Sequence, residues 1–131
     1  MKKKIHHVAI IVDDLEKSLQ FWRDSFGLEL DNIKQVPEQN AQIAFLPIGD
    51  AEIELVQPVG DESGLARFLK NRGPGMHHLC VQVSSIETML SKLKSKGVRL
   101  INENPLIGQD GKRYAFIHPE STGGVLLELY E

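Results

Sequence analysis

Cysteine is nearly missing from this sequence: only Cys80 carries a thiol among its 131 residues. No intrachain disulfide can form, so a disulfide-stapled secreted scaffold is excluded and a reducing cytoplasm is the expected location. Long apolar runs are also missing. None approaches the roughly 18 residues that cross a bilayer, so no membrane span is expected. The basic start, Met1-Lys2-Lys3-Lys4-Ile5, leads into no apolar core with a cleavage site, which argues against a signal peptide. Charge of one sign is not concentrated either: 15 Lys and Arg face 18 Asp and Glu, for a formal net charge of −3. The bases are scattered, and the basic face that a nucleic-acid binder needs is not there. Low-complexity segments and long linkers are lacking as well. What remains is a length that fits one domain or two tightly fused halves, with a hydrophobic fraction of 41% that is ordinary for a soluble globular chain.

The strongest positive signal is internal repetition. Residues 5–30 read IHHVAIIVDDLEKSLQFWRDSFGLEL, and residues 76–100 read MHHLCVQVSSIETMLSKLKSKGVRL. His6-His7 falls on His77-His78, Val12 on Val83, Glu16 on Glu87 and Leu19 on Leu90. After a one-residue gap, Gly27 falls on Gly97 and Leu30 on Leu100.

Each copy has the same local grammar. A β-rich run, Val8 to Val12 or Leu79 to Val83, precedes a helix start. Asp13 with Glu16, and Ser84 with Glu87, match a capping box, in which a side-chain oxygen takes a free amide of the first turn. Apolar residues then recur at helical spacing: Leu15, Leu19, Trp22 and Phe26 in one copy, Ile86, Leu90 and Leu93 in the other. Gly27 and Gly97 can stop these helices in the left-handed conformation. Residues 28–35, 41–47 and 52–57 read as strands in the first half, with a Gly49-Asp50 turn. Residues 99–103, 113–118 and 125–130 read as strands in the second, with a hairpin turn at Asp110-Gly111. A short helix at about 64–71, with Leu65, Phe68 and Leu69 on one side, and then Gly73-Pro74-Gly75, separate the halves. The expected organisation is one α+β domain of paired βαβββ modules: about 1–60, a connecting helix within about 61–75, and about 76–131. Neither half could bury its sheet alone. Side by side, the two would form an open, curved mixed β-sheet barrel with helices outside and a cleft within.

Polar residues in apolar strands mark a candidate site. Glu128 interrupts Val125-Leu126-Leu127-Glu128-Leu129-Tyr130. A strand apolar on both faces is usually buried on both, and a buried carboxylate needs a cation or a proton. Ile53-Glu54-Leu55 holds the place in the first half that Leu127-Glu128-Leu129 holds in the second. His7 alternates with Ala9 and Ile11 on an apolar face, and His78 is its repeat partner. The duplication thus pairs His7 with His78 and Glu54 with Glu128. A pseudo-two-fold axis would bring all four together. Two imidazoles and two carboxylates suit one divalent first-row ion per chain, with cobalt, nickel, manganese and zinc all compatible. Two positions would stay open for Lewis acid chemistry. Taken singly, each residue has a plainer reading: a hydrogen-bonded core or rim histidine, or, for Glu54 beside Glu52, a glutamate facing water. The set of four in matching places favours the metal.

The neighbours read as support. His6 and His77 share the opposite strand faces, with Val8 and Ile10 or Leu79 and Val81, and suit strand-end capping or bracing of the ligands. Cys80 reads as a small core residue with no base nearby. His118 reads as a strand-end hydrogen-bonding residue. Lys112 and Arg113 flank the hairpin turn, as solvated charges or as contacts for an anionic substrate. Trp22 and Phe26 read as core.

His7-Val8-Ala9-Ile10, followed by Asp13-Asp14-Leu15-Glu16 and Phe21-Trp22, resembles the opening of vicinal oxygen chelate proteins, the glyoxalase/bleomycin-resistance superfamily. Three further stretches look like its methylmalonyl-CoA epimerase branch: Ile53-Glu54-Leu55-Val56-Gln57-Pro58, Gly75-Met76-His77-His78-Leu79-Cys80, and Ile117-His118-Pro119-Glu120-Ser121-Thr122-Gly123-Gly124-Val125-Leu126-Leu127-Glu128-Leu129. The resemblance covers nearly the whole chain. It implies the paired-module fold, a metal held by His7, His78 and Glu128 with Glu54 fourth, an acyl-CoA substrate, and interconversion of its (R) and (S) forms by 1,1-proton transfer through a metal-stabilised enolate. Some relatives carry Gln at the place of Glu54 and an acid on the preceding strand. Here that strand, Ala41-Gln42-Ile43-Ala44-Phe45-Leu46, has none, so Glu54 is expected to act with Glu128 as the second base. A glyoxalase I-like lactoylglutathione lyase and a metal-free small-molecule-binding protein are the alternatives. A homodimer is the expected assembly.

Overall fold

The computed structural model describes residues 2–131. Two compact units divide the chain: Val8–His77 forms one, and the segment up to His7 joins His78–Glu131 in the other. The first strand, β1 (Lys4–Ile11), runs through that division.

In the unit Val8–His77, β1 is prolonged by the Val12 amide, which donates to the Val56 carbonyl at 2.9 Å. The chain turns at Asp13-Asp14 into α1 (Leu15–Leu19), which passes into a π-helical segment, Gln20–Ser25. Three antiparallel neighbours follow: β2 (Asn32–Val36), β3 (Ala41–Ile48) and β4 (Ala51–Pro58). Then comes α2 (Gly64–Arg72), whose N-cap Ser63 accepts from the Ala66 amide at 3.0 Å. The other unit contains most of β5 (Gly75–Gln82), then α3 (Ile86–Ser95), β6 (Leu106–Ile107), β7 (Arg113–Ile117) and β8 (Leu127–Tyr130). β8 lies parallel to β5 and antiparallel to β7, so the strand pairing is mixed, as expected for this fold.

The repeat is visible in the packing of each unit. One core cluster joins Val12, Leu15, Leu19, Ala44, Leu46 and Leu55. The other joins Val83, Ile86, Leu90, Ala115, Ile117 and Leu129. Each residue of the first has its repeat counterpart in the second. Truncating a fully buried member such as Leu19 would leave a cavity, at a cost of about 2–5 kcal/mol. Gly27 and Gly97 end their helices at φ 92° and 78°, in the left-handed region.

Several local expectations are corrected. The N-caps are Asp14 and Ser85, one residue later than Asp13 and Ser84. Val12 and, in the repeat, Val83 still bond as strand residues, so the turn into each helix needs one more residue. Ser85 accepts from the Thr88 amide, and Ser85→Ala should therefore lower the unfolding free energy by about 1 kcal/mol, readable by chemical denaturation. β2 starts at Asn32 instead of Leu28. The expected strand at 99–103 is reduced to a single bridge, Leu100 to Ile117. Backbone bonds from His118 to Arg99 at 3.0 Å and from Ile101 to Phe116 at 2.9 Å flank this bridge, but the Asn102 side chain takes the Phe116 amide and interrupts the ladder. The partner of β7 is instead β6, beyond Pro105. Phe26 is exposed, not core: the π-helical turn shifts the phase of the residues after Leu19, and Phe26 stacks on Phe21 outside. Trp22 remains partly buried against the first cluster.

Candidate metal centre

The chain ending explains how Glu128 is placed. His118 caps the tight turn Pro119–Ser121, its Nδ1 accepting from the Glu120 amide at 3.0 Å, which matches its expected strand-end role. Gly123 and Gly124 follow at φ 75° and 104°, conformations that side chains with a Cβ rarely adopt. This bend delivers the chain into β8 with Cys80 beside Glu128 in the β5–β8 register.

Three of the four expected ligands meet in the unit formed by the segment up to His7 and His78–Glu131. His7 Nε2 lies 3.1 Å from His78 Nε2 and 3.2 Å from Glu128 Oε1. His78 Nε2 lies 3.0 Å from the same oxygen. His7 and Glu128 are buried, and His78 is nearly so. Burial opposes ionisation of Glu128, but hydrogen bonding and attraction from His7 and His78 outweigh it and pull its pKa down to about 2. The carboxylate is therefore fully ionised at neutral pH, as a ligand must be.

The donor set fits a divalent ion in kind and in spacing. Imidazole nitrogens and a carboxylate oxygen suit first-row metals. Adjacent ligands about 2.1 Å from an octahedral ion stand about 3.0 Å apart, against about 3.4 Å around a tetrahedral one. The three observed separations, 3.0–3.2 Å, fall within this range and are compatible with one shared ion.

Glu54 lies in the other unit, buried in β4. Its surroundings repeat those of Glu128. Phe45 is its register partner on β3, as Phe116 is that of Glu128 on β7. Two residues beyond each Glu, the Val56 carbonyl takes the Val12 amide and the Tyr130 carbonyl takes the Val83 amide, both at 2.9 Å. Three residues beyond, Gln57 Oε1 accepts from the Leu15 amide at 2.6 Å and Glu131 Oε1 from the Ile86 amide at 2.7 Å. These bonds satisfy the first helical amide of α1 and of α3. The equivalence of Glu54 and Glu128 thus extends to hydrogen bonding.

His6 meets the site from its own strand face, in keeping with one of its two expected roles: its Nδ1 lies 2.8 Å from His7 Nδ1. Strand alternation describes where Cβ points, not where an imidazole beyond it can swing. Burial and then the adjacent His7 lower the pKa of His6. Cys80 is fully buried, as expected, but its sulfur lies within 4.8 Å of a ring nitrogen of both His6 and His7. The expectation of no base nearby was therefore wrong. A signal for this was its position two residues beyond His78, on the same strand face. His77 packs edge-on against Phe68. Arg113 is engaged by Glu87 and by Glu131, the latter at 2.6 Å.

No helix among the described residues is long and apolar enough to cross a membrane. Residues 6–116 match the family described as the Glyoxalase/Bleomycin resistance protein/Dioxygenase superfamily. The chain is 39% identical over 127 residues to the mitochondrial methylmalonyl-CoA epimerase of Mus musculus, covering 96% of this chain and 71% of that protein. It is 36% identical over 128 residues to the ethylmalonyl-CoA/methylmalonyl-CoA epimerase of Cereibacter sphaeroides, covering 96% of each. A variant of Streptomyces coelicolor methylmalonyl-CoA epimerase, solved in complex with 2-nitronate-propionyl-CoA, superposes with a TM-score of 0.88 at 29% identity, covering 97% of this chain and 92% of that one. Motif, fold and similarity agree: the chain belongs to the glyoxalase/bleomycin resistance/dioxygenase superfamily, the vicinal oxygen chelate group that its sequence resembles.

Proposed function

We propose that this protein is a metal-dependent acyl-CoA epimerase that interconverts (R)- and (S)-methylmalonyl-CoA by 1,1-proton transfer. The observation that carries the chemistry is the buried trio His7, His78 and Glu128, whose ligand atoms lie 3.0–3.2 Å apart. The substrate class is supported by likeness to epimerases over nearly the full chain.

In this reading His7, His78 and Glu128 hold one divalent ion, and Glu54 completes the set. Cobalt, nickel, manganese and zinc would all suit this donor set. The bound ion would supply Lewis acidity, stabilising the enolate charge that develops when the α-proton leaves. Glu128 and Glu54 are the proton carriers. One removes the proton from the carbon between thioester and carboxylate, and the other returns a proton to the opposite face. Their equivalence in the repeat is the reason to assign one to each face. Isolation from bulk water, through the burial of both, would protect the enolate from uncontrolled protonation. A homodimer and a cytoplasmic location complete the proposal.

Supplying the purified protein, in parallel, with one methylmalonyl-CoA stereoisomer and with a glutathione hemithioacetal tests the assignment. Turnover of the first alone is expected. Preferential turnover of the hemithioacetal would make the protein a lactoylglutathione lyase, and turnover of neither a binding protein. Glu54→Gln separates the two proton carriers. It should retain the ion, keep solvent exchange from one stereoisomer, and lose epimerisation by about 10²-fold. Equal losses from both stereoisomers and in both readouts would remove Glu54 from that role.

A further inference from the structure

His6 stands between the candidate metal centre and the aromatic residue that closes β8. Its ring lies tilted on Tyr130, with centroids 4.2 Å apart, and Tyr130 is itself fixed by its hydroxyl, which donates to Asp110 Oδ2 at 2.5 Å. From this braced position His6 Nδ1 faces His7 Nδ1 at 2.8 Å. The other nitrogen of His7, Nε2, is the atom turned to His78 and Glu128. An imidazole that coordinates through Nε2 carries its proton on Nδ1, and a ligand histidine is oriented by whatever accepts that proton. The neighbour that faces His7 Nδ1 at 2.8 Å is another imidazole, where a carboxylate or a carbonyl is the usual partner.

We propose that His6 is a positioning residue: its Nδ1 accepts the Nδ1–H of His7, which fixes the ring and directs the Nε2 lone pair at the metal. The proposal rests on the reading of His7 as a ligand. His6 must then carry its own proton on Nε2. As a neutral acceptor it sets the tautomer of His7 without adding a negative charge to a site that already holds Glu128. Tyr130 and Asp110 hold the His6 ring in place, so the line Asp110, Tyr130, His6, His7 runs from the hairpin turn to the metal centre.

Two substitutions separate this role from packing. His6→Phe preserves a flat ring against Tyr130 but has no acceptor. His6→Asn loses the ring but can place its side-chain oxygen near the position of the imidazole Nδ1. Affinity for cobalt would be measured by competition with a chromophoric chelator, beside thermal melts, in wild-type and variant proteins. Imidazole N–H resonances would be followed by NMR in the zinc-loaded forms. His6→Phe should weaken the ion by about 10–100-fold and lose the slowly exchanging His7 Nδ1–H signal, with little change in melting. His6→Asn should restore both within about threefold of wild type, on the scale of one retained hydrogen bond. Wild-type affinity and signal in His6→Phe would overturn the role of His6 and leave the metal centre intact. Equal weakening in both variants would make His6 a packing residue. Wild-type protein that binds no ion would overturn the metal reading itself, and His6 with it.

Discussion

Replacing Glu128 by Gln should reduce epimerisation by about 10²-fold or more while a weakened divalent ion is still bound. The amide keeps the shape of the side chain and one oxygen able to coordinate, but it loses the charge and the ability to take a proton. In the native site, Oε1 of Glu128 lies 3.2 Å from His7 Nε2 and 3.0 Å from His78 Nε2, so this one atom faces both imidazoles. The substitution therefore separates what the residue does as ligand from what it does as base. Metal content, exchange of the α-proton and epimerisation are measured on the same sample. Near-normal proton transfer with the ion bound would place the base elsewhere, even if the fold and the metal site stand.

Removal of the ion should have a larger effect. Protein purified without chelator should hold about one divalent ion per chain, and dialysis against a chelator should abolish turnover, with cobalt or manganese restoring it. His7→Ala should behave like the stripped protein. It removes a buried nitrogen that faces both other members of the trio. Losing Lewis acid stabilisation of several kcal/mol corresponds to a fall of about 10³-fold or more. The measurement is turnover beside metal analysis before stripping, after stripping and after reconstitution. Full activity in protein shown to be metal-free would contradict the proposed chemistry at its root.

Much of this was legible in the sequence because it repeats. The doubled His-His dipeptide and the lone glutamate of an apolar strand led to His7, His78 and Glu128, which the structure brings together. The register of β3 with β4 and of β7 with β8 then extends the pairing of Glu54 with Glu128 to Phe45 with Phe116. What the sequence hid depends on geometry finer than periodicity. A strand and a loop of similar composition differ at 99–103 because the Asn102 side chain takes a backbone donor. Phe26 follows the helical spacing of Leu15 and Leu19, yet a π-helical turn moves it outward. The contact of His6 with His7 cannot be read from alternation, which assigns faces and not side-chain torsions.

The most direct test is to incubate metal-loaded wild-type protein in deuterium oxide with one stereoisomer of methylmalonyl-CoA and follow the α-position by proton NMR and mass spectrometry. The account predicts loss of the α-proton signal, a gain of about one mass unit in each substrate molecule turned over, and formation of the other stereoisomer, all dependent on the ion. A substrate that keeps its α-proton and its configuration in the presence of bound metal would contradict it.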